Sequence, residues 1–115
     1  MRRAPKHKAV YSFSSKNEPA EHAMLGEKIL LETEDAFGGQ VKDESVSIEQ
    51  LDWSKVNGAT GPIFIDVAEP GDTLIVNIEE IKVADRGIIA VIPKQGALKD
   101  KLFKAVVKVV STRNG

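Results

Sequence analysis

The chain has no cysteine. That removes disulfides, thiolate metal sites and cysteine nucleophiles together. It also lacks an excess of one charge. The formal net charge is -1 and the 16 basic and 17 acidic residues are interspersed, so no footprint for nucleic acid or an anionic membrane surface is present. No apolar run approaches the roughly 18 residues of a membrane span. The N-terminus has no apolar core of a signal peptide, and a cytoplasmic location is expected. What is there describes an ordinary globular domain, with 42% hydrophobic and 29% charged residues in 115. This length predicts one domain over 1–115, large enough for a single core and too small for two. The one basic cluster, Arg2, Arg3, Lys6 and Lys8, reads as a solvated, frayed end rather than a binding patch.

Hydrophobic periodicity favours strands. Lys8 to Ser14 alternates, Lys28 to Thr33 is a short apolar run after Gly26, and Ile63 to Val67 follows the turn signal Gly61-Pro62. Thr73 to Val83 is the longest alternation, with Leu74, Val76 and Ile78, then Ile81 and Val83 after a slip at Glu79-Glu80 that suggests a bulge. Gly87 to Ile92 is nearly continuous in Ile, Ala and Val, which suits a strand buried on both faces, and Ala105 to Val110 is β-branched and reads as a last strand. Helical signal is confined to Ser45 to Val56, with Ser47 as N-cap, and to a turn over Lys99 to Lys104. The expected fold is mainly β, a sandwich or distorted barrel with one or two short helical turns. Gly26-Glu27 and Gly71-Asp72 echo one another ahead of apolar residues. In each, glycine permits a positive-φ turn and the acid can bond nearby backbone N–H groups before the strand begins.

Chemistry concentrates in Glu32-Thr33-Glu34-Asp35-Ala36-Phe37-Gly38-Gly39-Gln40. In an extended strand Glu32 and Glu34 share a face, and like charges there need a cation, a proton or donors to compensate them. Gly38 and Gly39 allow backbone N–H groups to approach a ligand closely. The segment therefore reads as half of a site for a metal or a water-activating base, or as a loop whose carboxylates cap turns. His7 and His22 have no ligand-spaced partners. Trp53 suits a core or an interface. No complete catalytic set emerges.

These residues carry a resemblance. The 32–40 segment resembles the ET-x-DAFGGQ stretch of the acetamidase/formamidase family. Ala59-Thr60-Gly61-Pro62-Ile63-Phe64 is similar to that family's ATGPI-aromatic segment, Ala68-Glu69-Pro70-Gly71-Asp72-Thr73-Leu74 to its AEPGDTL turn, and Ile92-Pro93-Lys94-Gln95-Gly96-Ala97-Leu98 to its IPGxGxL segment. Each motif alone is weak, and four in order are specific. Two positions depart from the pattern: Gly58 stands where the family has proline, and Lys94 where it has glycine.

The resemblance implies hydrolysis of short-chain amides, formamide or acetamide, to ammonia and the carboxylic acid. It implies catalytic roles for Asp35 and Glu32, with Asp35 as a metal ligand, and substrate-binding roles for Gly38, Gly39 and Gln40. A divalent ion, zinc or calcium, is the expected cofactor. The family's His-Gly-Gly-Asn-type segment does not occur here, so the expected partner is a missing C-terminal half or a second chain, within a homo-oligomer. The alternative is a non-catalytic β-sandwich that binds a ligand or drives oligomerisation.

Overall fold

Two glycine turns start the extended segments that organise the chain. In the computed structural model, which describes residues 1–101 and 103–113, Gly26 and Gly71 sit at φ 76° and 99°. Glu27 N donates to Met24 O at 3.1 Å, and Asp72 N donates to Glu69 O at 3.1 Å. Each acid then reaches back to the first residue of its turn: Glu27 Oε2 accepts from Met24 N and Asp72 Oδ2 from Glu69 N, both at 2.9 Å. The sequence echo is thus the same turn made twice, with the side chain satisfying a donor the turn leaves open.

The chain is mainly β. Its eight short strands are β1 (Arg2–Ala4), β2 (Ala9–Val10), β3 (Glu21–Ala23), β4 (Ile29–Leu31), β5 (Ala59–Thr60), β6 (Ile63–Ile65), β7 (Arg86–Val91) and β8 (Val106–Ser111). They form four two-stranded ladders. β1–β4 and β3–β6 are parallel, with Arg3 opposite Leu30 and His22 opposite Phe64. β2–β5 and β7–β8 are antiparallel, the latter running from Arg86 opposite Ser111 to Val91 opposite Val106. Two single 3-10 turns, Ile48–Gln50 and Trp53–Lys55, fill the predicted helical region. Ser47 does stand at the first N-cap but makes no side-chain cap. The predicted turn over 99–104 is opened by Lys99 N to Gly96 O and Lys101 N to Leu98 O bonds; Leu102 lies outside the described residues.

The N-terminal cluster is ordered, contrary to the frayed end expected. β1 pairs with β4, and every basic residue of the cluster meets a carboxylate. Arg2 binds Glu27 at 2.9 Å, Arg3 binds Glu32, Lys6 binds Glu34 at 2.7 Å and Lys8 binds Glu21 at 3.4 Å. These exposed pairs contribute little stability each, but they set the register of a strand with almost no apolar surface. The predicted strand from Lys8 shortens to Ala9–Val10 because Ser14 turns the chain: Ser14 Oγ accepts from Lys16 N, and Asn17 Nδ2 donates to Ser12 O. Such local side-chain bonds compete with a ladder.

The largest departure is at 73–83. This segment is extended, yet no ladder among the described residues includes it. Ile75, Ile78 and Ile81 are 72–78% exposed. The buried apolar core among the described residues is Ala4, Ala23, Val41 and Ile48. The surface, 9525 Å², is about 1.5 times that of a compact monomer of this mass. The radius of gyration is 17.5 Å, against about 13 Å for a compact domain of this length.

Candidate functional site

The candidate site grows from the turn after β4. Asp35 Oδ1 accepts from Phe37 N at 2.8 Å and from Gly39 N at 3.2 Å, and Gly38 N donates to Asp35 O at 2.9 Å. An aspartate opening a tight turn in this way takes up backbone donors the turn would otherwise strand. Gly38 and Gly39 have φ of 65° and 71°. A Cβ on Gly38 would lie 2.5 Å from the Lys55 carbonyl oxygen, and one on Gly39 would lie 3.1 Å from the Glu34 carboxylate. Backbone sign favours glycine at both positions, and at Gly38 the close approach of a backbone carbonyl requires it as well.

The segment 52–57 clamps this turn. Gln40 Oε1 accepts from Asp52 N at 2.8 Å, while Gln40 Nε2 donates to Asp52 O at 3.1 Å and to Phe37 O at 2.9 Å. The amide thus pairs with Asp52 as a strand neighbour would. Asn57 N donates to Ala36 O at 2.7 Å. The Ala59–Pro62 motif supports the other side: Thr60 Oγ1 donates to Glu32 O at 2.6 Å, Gly61 N donates to Lys8 O at 3.0 Å, and Ala20 N donates to Pro62 O at 2.8 Å.

The charge problem posed by Glu32 and Glu34 is solved from the N-terminus. The Arg3 guanidinium holds the Glu32 carboxyl below its ordinary value, and the Lys6 ammonium does the same for Glu34. Between these elements lies a cleft of about 190 Å³ lined by Lys6, His7, Ala9, Tyr11, Glu34, Asp35, Gly38, Lys55, Gly58 and Thr60. Of the predicted site residues, Asp35 and Gly38 line the cleft. Gly39 packs on Glu34, Gln40 clamps from behind, and Glu32 acts beside it through Thr60. Sequence reasoning missed Lys6, Tyr11 and Lys55, whose only signal was a charge or ring in an unremarkable setting.

The backbone now permits comparison with known proteins. Residues 13–114 match the acetamidase/formamidase family. The chain belongs to that family. It is 37% identical over 65 residues to a Schizosaccharomyces pombe protein bearing the name formamidase, a match covering 55% of this chain and 16% of that one. Among solved structures, an acetamidase from Bacillus halodurans superposes at a TM-score of 0.90 and 29% identity, over 95% of this chain and 37% of its own. An acetamidase/formamidase-type protein from Thermoanaerobacter tengcongensis superposes at 0.91 and 33% identity, over 99% of this chain and 38% of its own. The chain thus spans a sixth of the first relative and under two-fifths of the other two.

The two departures from the family pattern have local explanations. A Cβ at Gly58 would come within 2.9 Å of the Tyr11 ring, so here the ring occupies space that a larger residue would need. Lys94 adopts φ 65°, the left-handed conformation glycine would take without strain. As for a metal, no three His, Asp or Glu side chains among the described residues are grouped to hold one. The donors of this chain alone therefore do not fit a divalent ion at Asp35. No helix among the described residues is long and apolar enough to cross a membrane.

Proposed function

We propose that the chain is one part of a hydrolase of short-chain linear amides, with formamide and acetamide as substrates, and that further amidase polypeptide completes its site. The observation that carries this reading is the clamped 35–40 turn, which sets Asp35 on the cleft in a backbone that follows acetamidase structures over nearly its whole length. A cleft of about 190 Å³ is below the range for drug-sized ligands and suits a substrate of a few heavy atoms. The surface excess and sparse core support the incompleteness.

Amide hydrolysis needs a positioned water, donors for the tetrahedral oxyanion and a proton for the departing ammonia. In this reading Asp35 Oδ1 is committed to the turn and Oδ2 holds the attacking water. Glu32 and Gln40 are positioning residues, acting through Thr60 and through the clamp on Asp52. The oxyanion donors, and any further ligands to a metal, come from the completing polypeptide.

Ammonia release from formamide and acetamide by the purified chain, with zinc, manganese or calcium added in turn, tests this reading. The expected result is release at the level of buffer. Release well above buffer that Asp35→Ala abolishes would place the whole site within these residues and overturn the claim of incompleteness.

A further inference from the structure

Resting on the reading that this chain is one part of an amidase, we infer that residues 73–83 form a docking strand whose partner is a β-strand of the completing amidase polypeptide. The argument begins with the repeated glycine turn. Its first copy launches β4, which finds a ladder partner in β1; its second launches a segment of similar apolar pattern that finds none among the described residues. In an extended chain Leu74, Val76 and Ile78 fall on one side and Ile75 on the other, which gives apolar surface on both sides. All four are 63–78% exposed. An exposed, apolar, unpaired strand is a template for another strand.

The segment is nevertheless held in place. The Glu69–Asp72 turn fixes its start, Lys28 Nζ meets Glu79 at 3.0 Å, and Thr112 N and Oγ1 bond to Asp85 O and Ala84 O just past its end. Its course also agrees with that of the relatives, since the superposition at TM-score 0.91 covers 99% of this chain. In those relatives about three-fifths of the chain lies outside the matched region. That is ample polypeptide to cover a strand of this length, and it identifies the occupant by chemistry: an apolar strand edge of the same amidase fold.

The test uses the full 115-residue chain and the part of the Bacillus halodurans acetamidase outside the matched 37%. That fragment is first shown to capture the matched part of its own protein. On mixing with the present chain, amide hydrogen exchange across 74–83 is expected to slow roughly 100-fold. The double variant Val76→Lys/Ile78→Lys, at positions already exposed, is expected to keep β7–β8 protection and to weaken capture at least ~10-fold. A complex that releases ammonia while exchange across 74–83 is unchanged would overturn the docking strand and leave the amidase reading standing. Protection of 74–83 without ammonia release would do the reverse. Protection in the chain alone, rising with its concentration and accompanied by the mass of a dimer, would assign the strand to a second copy and overturn the inference. Failure of the validated fragment to bind would overturn it as well.

Discussion

Replacing Gly38 by alanine tests whether the 35–40 turn is held by the clamp behind it. Gly26→Ala is the control, because the two glycines have similar φ, 65° and 76°, in different surroundings. Nothing lies within 4 Å of a Cβ at Gly26, whereas at Gly38 the Lys55 carbonyl oxygen is 2.5 Å away. Both variants incur about 1–2 kcal/mol for the left-handed conformation, and the effect of alanine on the unfolded chain is common to both. Only Gly38→Ala must also move a backbone carbonyl. That displaces 52–57 from the turn and loosens the Asn57–Ala36 bond and those of Gln40 with Asp52. Losing these three bonds at about 1 kcal/mol each makes Gly38→Ala the more destabilising by ~3 kcal/mol. Urea unfolding followed by the fluorescence of Trp53, next to Asp52, reads the difference as a lower midpoint at unchanged slope. Native-state exchange of the Asn57 amide reads it locally. Equal midpoints for the two variants would mean that the clash relaxes freely and that no clamp exists.

Val67 adopts φ 64°, an outlying conformation for a β-branched residue, so Val67→Asn should raise stability by about 1 kcal/mol; an unchanged urea midpoint would refute the strain. Lys94→Gly should gain roughly 0.5 kcal/mol, since relief of the left-handed cost is partly offset by the freer unfolded chain. Thr60→Val should lose about 1 kcal/mol by leaving the half-buried Glu32 carbonyl without its donor. The folded-state pKa values of Glu27, Glu32 and Glu34 lie below 4.5, held down chiefly by the Met24 N–H, the Arg3 side chain and the Lys6 side chain respectively. Their stabilisation is therefore present above pH 4.5 and is lost as pH falls through those lowered values. Urea midpoints should fall on acidification below pH 4.5, and less steeply in Lys6→Ala; a midpoint that rises there would contradict the pairing.

The sequence made the turns more legible than the ladders. Gly26-Glu27 and Gly71-Asp72 announced their conformation because a positive φ and a short acid determine it locally. β7 and β8 were legible as strands from their apolar, β-branched runs. β7 is not buried on both faces as expected, since its only ladder partner among the described residues is β8 and Ile89 and Val91 stay exposed. β1, β3 and β5 were hidden, being two or three residues of charged or small side chains. Their pairing is set by distant partners, such as Glu27 and Glu32 for β1. The 73–83 alternation predicted a strand that forms in no ladder among the described residues, because pairing depends on a partner that periodicity cannot supply. At the candidate cleft, Asp35 and Gly38 belong to a motif visible in the sequence. Lys6 and Arg3 were not legible, because a cation only acquires meaning once folding places it beside a carboxylate.

The most direct test of the account is ammonia release from formamide by this chain combined with the remaining part of the Bacillus halodurans acetamidase. The account predicts release that neither component gives alone and that Asp35→Ala in this chain abolishes. Equal release by the combination carrying Asp35→Ala would contradict it, since the chain would then contribute no part of the reacting site.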